Sequence, residues 1–173
     1  MENNEQLNPE EAITAGGVFH FKQIRNGKVI AEWDDHNLVV NEGLNYTLNA
    51  SLGGDTQQAS WYIGLFEGNY TPLATDAGAT IANNATECTA YDEAARPQWV
   101  EPGAASQSIT NSAAPATFTI NATKSVYGAF LISDSTKGGA TGVLFAAARF
   151  AAVRDLIAAD ELLVTYTVDA ASS

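Results

Sequence analysis

Apolar and polar residues alternate with a period of two along most of this chain, a pattern that predicts β-strands. The first two such runs, residues 18–25 and 28–34, are separated only by Asn26-Gly27. Both central residues of a type I′ turn need a positive φ angle, which Asn and Gly adopt most readily. The N-terminal region is therefore predicted to form an antiparallel hairpin.

The predicted hairpin has apolar side chains on both of its faces. A two-residue loop places His20 opposite Trp33, against which its ring is expected to pack. Phe19, Phe21 and Ile30 lie together on the other face. A hairpin with one solvent-facing side would alternate cleanly. Each face is therefore expected to be partly covered, either by a second sheet or by another subunit.

A helix is predicted after the hairpin, from Asn41 to the glycine pair at 53–54. Asn41 is a typical N-cap residue, and glycine is typical of the left-handed residue that ends a helix. Leu44, Leu48 and Leu52 recur every four residues and so form one apolar stripe. We expect this stripe to face the core of the protein.

The rest of the chain contains further short runs of strand type. These runs cover residues 61–67, 98–101, 116–120, 126–133, 143–150 and 162–168. Residues 126–133 are apolar on both faces, which indicates a central strand, whereas residues 162–168 show the most regular alternation. Together they predict an all-β fold, an antiparallel β-sandwich of jelly-roll topology with one short helix after the N-terminal hairpin.

The domain organisation predicted from the pattern is one β-sandwich, residues 16–173, preceded by an arm. Residues 1–15 are polar and acidic with no apolar period, which favours a flexible segment. They do not resemble a secretion signal, so synthesis in a bacterial cytoplasm is expected. Residues 68–96 lack a sustained period and are predicted to be a long surface loop that contacts neighbouring molecules.

Charge and composition exclude several classes of partner. The net charge is -12 with only 8 Lys and Arg residues, so a nucleic-acid backbone would be repelled. No apolar run approaches the roughly 18 residues that a membrane-spanning helix needs. Cys88 is the only cysteine, so no disulfide forms within the chain, and its polar surroundings in the sequence favour an incidental thiol.

The motifs of catalytic and metal-binding sites are missing from the sequence. Asp34, Asp35 and His36 are adjacent metal-binding residue types, but in an extended chain they point in alternate directions, so at most two converge. The sequence lacks a G-x-S-x-G elbow, a P-loop and a G-x-G-x-x-G turn. Acidic residues alone leave glycosidase chemistry as the weakest alternative. We therefore expect no enzymatic activity and no cofactor.

Aromatic residues in or near the predicted strands leave a second function open. Trp61, Tyr62, Tyr70 and Tyr91 are able to stack on sugars if they are exposed, as in lectin-like modules. Aromatic residues in strands more often belong to the core. The sequence does not decide between a carbohydrate-binding module and a purely structural protein.

About residues 32–169 contain a succession of stretches in fixed order. They are EWDDHNLVVNEGLNYTLN, WYIGLFEG, YDEAARPQWVE, NSAAPATFTINATKSVYGAFLISDSTKGG, and GVLFAAARF leading to ELLVTYTV. This succession resembles small virion proteins of tailed bacteriophages. The resemblance implies a capsid decoration, or cement, protein on the head exterior, or else a tail or head-fibre component with a carbohydrate-binding β-sandwich. It also implies the major capsid protein as partner and a homotrimer as the assembled state.

The residues expected to make these contacts combine the hairpin with the aromatic positions. They are Phe19, Phe21, Ile30, Trp61, Tyr70 and Tyr91. Of these, Phe19, Phe21 and Ile30 are expected to form the side of the hairpin that faces a partner.

Overall fold

Two antiparallel sheets pack face to face in the structure, a computed structural model that describes residues 13–172. This architecture confirms the predicted all-β sandwich with one short helix after the hairpin. Two facing sheets are also what the predicted jelly-roll topology requires. The strands are β1 (Ile13–Arg25), β2 (Lys28–His36), β3 (Leu38–Val39), β4 (Trp61–Phe66), β5 (Glu87–Cys88), β6 (Gln98–Trp99), β7 (Ser108–Thr110), β8 (Ala116–Thr119), β9 (Lys124–Ile132), β10 (Leu144–Leu156) and β11 (Glu161–Ser172). The helices are α1 (Asn41–Leu48), which continues as a π-helical turn over Asn49–Gly53, and the single turn α2 (Ile81–Asn84).

The first and last long strands of the chain lie side by side at the centre of one sheet. That sheet, called here the first sheet, has the order β2-β1-β11-β7, and β8 pairs with the other end of β11. The second sheet has the order β3-β10-β9-β4-β5, and β6 pairs with β4. β9 is therefore an internal strand, as its apolar run predicted.

The start of β1 corrects the predicted boundary of the N-terminal arm. Ile13 pairs with Ser172, and the ladder continues inwards without interruption to Ile24. Residues 13–15 therefore belong to the sandwich, because β11 runs almost to the C-terminus and offers their backbone groups hydrogen-bonding partners. The rest of the predicted arm lies outside the described residues.

The hairpin contains a β-bulge at Ile30, which changes the predicted register. Gln23 pairs with Ala31, whereas the pair nearer the turn skips Ile30. One extra residue moves every later side chain of β2 to the opposite face. Phe21 consequently pairs with Trp33, and the two rings stack with their centroids 5.2 Å apart. Trp33 thus joins Phe19 and Phe21 on the inner face, whereas Val29 and Ile30 remain exposed.

The main core lies between the two sheets. The first sheet contributes fully buried side chains, among them Phe19, Phe21 and Tyr166, and the second contributes residues such as Ile63 and Leu131. Phe19 and Tyr166 stack with centroids 3.9 Å apart. This layer accounts for most of the apolar surface that the chain removes from water.

Residues 68–96 cover the outer face of the second sheet. Ile81 and Ala85 from this segment are fully buried in a second cluster with Phe66 and Phe130. The segment also places Cys88 in the main core. The predicted surface excursion is thus largely a packed layer, because β9 and β10 carry apolar side chains on both faces and the outer face needs a cover.

Helix α1 approaches the second sheet through a glycine. Gly43 is the buried residue of the helix, and a Cβ atom added there would lie 2.4 Å from the carbonyl oxygen of Phe145. The N-cap is Val40 rather than Asn41, whose backbone N–H donates to Ala74. The helical run ends at Gly54 with φ 81°, the left-handed residue that the glycine pair predicted.

Candidate functional site

Three of the predicted contact residues lie inside the protein. Phe19, Phe21 and Tyr91 are almost completely buried. For the two phenylalanines the prediction is wrong because their face of β1 packs against the second sheet, and the bulge in β2 brings Trp33 onto the same face. For Tyr91 it is wrong because the ring packs edge to face on Phe118, with centroids 4.9 Å apart. None of the three is available to a partner of the folded chain.

The other three predicted contact residues remain at least partly accessible. Ile30 is 48% exposed, because the bulge holds it outside the ladder. Tyr70 is half-buried, and its hydroxyl donates to Asp76 over 2.7 Å. Burial, together with the neighbouring Asp76 carboxylate, raises the pKa of Tyr70. Trp61 is half-buried at an opening between the sheets.

An apolar stripe on α1 and its π-helical extension faces solvent, against expectation. Leu44 is 41% exposed, Leu48 57% and Leu52 84%. The side chains share a helix face as their spacing predicted, but Gly43 turns the opposite side of the helix towards the sheet. We call these three residues the leucine stripe. Grouped exposed apolar residues of this kind are typical of interaction surfaces.

A second accessible feature, here called the aromatic cleft, is an opening of about 140 Å³ between the two sheets beside α1. Four aromatic residues form its walls: Tyr46, Trp61, Trp99 and Phe145. The Trp61 ring meets the Tyr46 ring edge to face at 5.3 Å and the Phe145 ring at 5.8 Å. Aliphatic side chains from both sheets close the inner end: Ile109, Leu131 and Val168.

Hydrogen bonds fix two of the cleft's walls. The Trp99 indole N–H donates to the carbonyl of Tyr166 over 2.9 Å, which ties the second sheet to the first. The backbone N–H of Gln58 donates to the Tyr46 hydroxyl over 2.7 Å. This second bond attaches the irregular segment 54–60 to the helix. The aromatic walls are therefore held in place without any ligand.

An uncharged polar edge borders the aromatic cleft. Gln57, Ser60 and Gln98, together called the amide rim, line an adjoining depression of about 250 Å³ that shares Trp61 and Trp99 with the cleft. The Gln98 side-chain amide donates to the Ser60 hydroxyl over 3.3 Å. Lys, Arg and His are absent from the lining of both openings within residues 13–172, and Glu101 is the one charged residue there.

A third depression, of about 420 Å³, follows the polar side of α1. Asn41, Asn45 and Asn49, one turn apart on the helix, line it together with Asp55. Glu42 lies at its inner edge and accepts backbone N–H groups from Gly78 and Leu144 over 2.7 and 2.6 Å. The Glu42 carboxylate thus joins the helix to the 68–96 segment and to the start of β10, which is a structural role.

His20 lies on the outer face of the hairpin rather than against Trp33. Its Nδ1 is 2.6 Å from an Asp34 oxygen, and its Nε2 is 3.0 Å from a Glu32 oxygen. The bulge at Ile30 explains the change, because it moves Trp33 inwards and Asp34 opposite His20. Each ring nitrogen of His20 therefore has one carboxylate oxygen within hydrogen-bonding distance.

The adjacent acids after the hairpin diverge, as an extended chain requires. Asp35 is buried and accepts the backbone N–H of Ala151 over 2.8 Å, whereas Asp34 and His36 are exposed. Burial raises the pKa of Asp35. Within residues 13–172, no group of three or more His, Cys, Asp or Glu side chains is arranged to hold a metal ion.

The single cysteine is more enclosed than its sequence context suggested. Cys88 is fully buried in β5, and burial raises the pKa of its thiol. A buried thiol with a raised pKa is a poor nucleophile. The thiol lies in the main core rather than in the polar loop that the sequence indicated, and its incidental role stays a prediction.

No protein-family model matches the chain, and no curated protein matches it. In the described part of the chain, no helix combines the length and apolar character needed to cross a membrane. The leucine stripe and the aromatic cleft are the two surface features from which a function is argued.

Proposed function

We propose that this chain is a non-enzymatic structural protein of a tailed-bacteriophage virion, a decoration protein that binds the outer head surface as a homotrimer. The observation that carries the proposal is the leucine stripe, an apolar face on a surface helix of an otherwise acidic chain. The succession of motifs in residues 32–169 supplies the phage context. The major capsid protein is the proposed partner, at junctions between capsomers.

The stripe is large enough to contribute useful binding energy. Fully burying one exposed leucine is worth about 1.5–3 kcal/mol, so covering the exposed fractions of Leu44, Leu48 and Leu52 is worth roughly 3–5 kcal/mol for each copy. A trimer presents three such faces on a fixed geometry, which raises the overall affinity for a symmetric surface. Modest single contacts are therefore sufficient for stable decoration.

The first test asks whether the protein belongs to the particle and in how many copies. Mass spectrometry and cryo-electron microscopy of purified particles should find the chain on the head at high copy number. Light scattering of the purified chain should give three times its 18.2 kDa mass. Absence from the particle would overturn the proposal, and one or two copies would place the chain in the tail or portal instead.

The second test asks whether the leucine stripe makes the contact. Leu48→Ser should lower occupancy on the head, because it removes the central member of the stripe. Val153→Ser is the matched control, since Val153 is an exposed apolar residue of β10, 46% accessible and remote in sequence from the helix. Equal occupancy for both variants would show that another surface binds the capsid.

A further inference from the structure

We propose that the aromatic cleft and its amide rim form a binding site for a single neutral sugar ring. The site lies where the two sheets separate beside α1, and seven side chains from helix and strands converge on it with Gln57 of the connecting segment. The proposal concerns a small ligand and does not rest on the virion role of the chain.

The size of the cleft sets an upper limit on what enters it. Its volume of about 140 Å³ is close to that of a cavity of about 150 Å³ that accepts one benzene molecule. One six-membered ring therefore fits if its substituents project through the opening, whereas a drug-sized ligand or a fused-ring cofactor does not fit inside. A longer oligosaccharide would place one ring in the cleft and extend across the adjoining depression, which adds about 250 Å³.

The aromatic walls suit the carbon face of a pyranose. The face of an aromatic ring carries partial negative charge, and it attracts the weakly positive C–H hydrogens of a sugar. Trp61 is half-buried, so part of its surface remains accessible at the opening. Trp99 is held in place by its bond to the Tyr166 carbonyl. Because the walls are already fixed, little ordering is needed when a ligand binds.

The amide rim suits the hydroxyl edge of the same ring. A glutamine amide both donates and accepts hydrogen bonds, as does a sugar hydroxyl. Gln98 uses one N–H on Ser60, which leaves its carbonyl oxygen free to accept. An anionic ligand is disfavoured, since the lining offers no cation among residues 13–172 and includes Glu101. A purely apolar side chain from a protein partner would leave the hydrogen-bonding groups of these amides without a partner.

The test uses the folded full-length chain and defined probes. Methyl glycosides of neutral hexoses and N-acetylhexosamines, together with short oligosaccharides of the same sugars, are titrated into the protein. Benzene and toluene serve as apolar probes. Binding is followed by tryptophan fluorescence and by saturation-transfer NMR, which identifies the part of the ligand that touches protein. We expect at least one neutral glycoside to bind with its ring hydrogens saturated.

Variants then locate the binding. Trp61→Leu should weaken it roughly tenfold, the value of an aromatic contact. Gln98→Ala should weaken it roughly threefold to tenfold, the value of one hydrogen bond. Trp33→Leu and Asn83→Ala are the matched controls, because Trp33 and Asn83 line neither opening. Circular dichroism and thermal melting verify that each variant is folded, and Gln98→Ala changes only an exposed side chain.

Each other outcome overturns the proposal. Binding of benzene or toluene without binding of any glycoside would show that the cleft takes an apolar group, such as a partner's side chain. Glycoside binding that survives both Trp61→Leu and Gln98→Ala would place the sugar elsewhere. If no probe binds, the cleft is a gap in the packing and not a binding site. Head occupancy is measured separately, so failure here is distinguishable from failure of the proposed virion role.

Discussion

Replacing Arg96 with methionine should destabilise the protein more than any surface substitution. The Arg96 side chain is fully buried, and its guanidinium donates to both oxygens of Glu87 over 2.8 and 2.6 Å. It also donates to the backbone carbonyls of Asp134 and Gly139 over 2.8 and 3.0 Å. One side chain thus connects the segment that covers the second sheet with the loop between β9 and β10.

The magnitude follows from the charge that the substitution leaves behind. Methionine fills much of the volume but donates no hydrogen bond, so the Glu87 carboxylate stays buried without its cation. Removing one partner of a buried ion pair costs about 3–5 kcal/mol. For a chain of this length the melting temperature should fall by roughly 6–20 °C. Typical total stabilities are about 5–15 kcal/mol, so the substitution should remove a large part of the total.

Urea unfolding followed by circular dichroism measures this loss. Arg149→Met is the control. Arg149 is exposed and, within residues 13–172, its side chain bonds only to Thr71 and Asn69, so a change in stability under about 1 kcal/mol is expected. Adding Glu87→Met to the Arg96 variant should recover part of the stability, because a buried pair replaced by apolar residues loses its uncompensated charge. A cost for Arg96→Met as small as that of the control would refute the reasoning.

Two further predictions concern stability. The Arg25 guanidinium holds the pKa of the buried Asp160 carboxyl at about 2, below its usual 3.8. Ionised Asp160 should therefore add on the order of 2 kcal/mol to the free energy of unfolding above about pH 4. This contribution is lost as the pH falls through 2. Urea unfolding across this range should show a smaller pH dependence for Asp160→Asn, and identical curves would contradict the assignment. Gly43→Ala should lower the free energy of unfolding by about 1–3 kcal/mol, because the added Cβ atom would meet the Phe145 carbonyl. Gly16→Ala is the control, since a Cβ atom added there has no heavy atom within 4 Å, and it should change the unfolding free energy little in the same assay.

The strands were predictable because their signal is local. β9 is apolar on both faces and proves to be internal, and β11 alternates and proves to have one face in the core. The bulge at Ile30 was not predictable in the same way. Both registers of the hairpin satisfy the Asn-Gly turn, and only the packing of Trp33 against Phe21 and Phe150 in the core distinguishes them.

The candidate surfaces, like the strands, were predictable from the sequence only in part. Periodicity correctly grouped Leu44, Leu48 and Leu52, but it carries no information on which way a helix is turned. The signal available in the sequence was a glycine within the helical run, Gly43. In the structure this glycine is the residue that approaches the Phe145 carbonyl. The aromatic cleft was harder to predict, because its lining comes from one helix, six strands and one connecting segment that are far apart in the chain. Trp61 was the one wall residue that the sequence had marked.

The two surfaces lie on different sides of the same helix, and this separation has a functional consequence. Successive residues of an α-helix are 100° apart, so Tyr46 lies about 160° from both Leu44 and Leu48. Tyr46 faces the cleft, whereas the leucines face solvent. A capsid surface bound at the leucine stripe therefore leaves the cleft open. A decoration protein attached in this way would hold its sugar site away from the shell, where soluble or cell-surface glycans reach it.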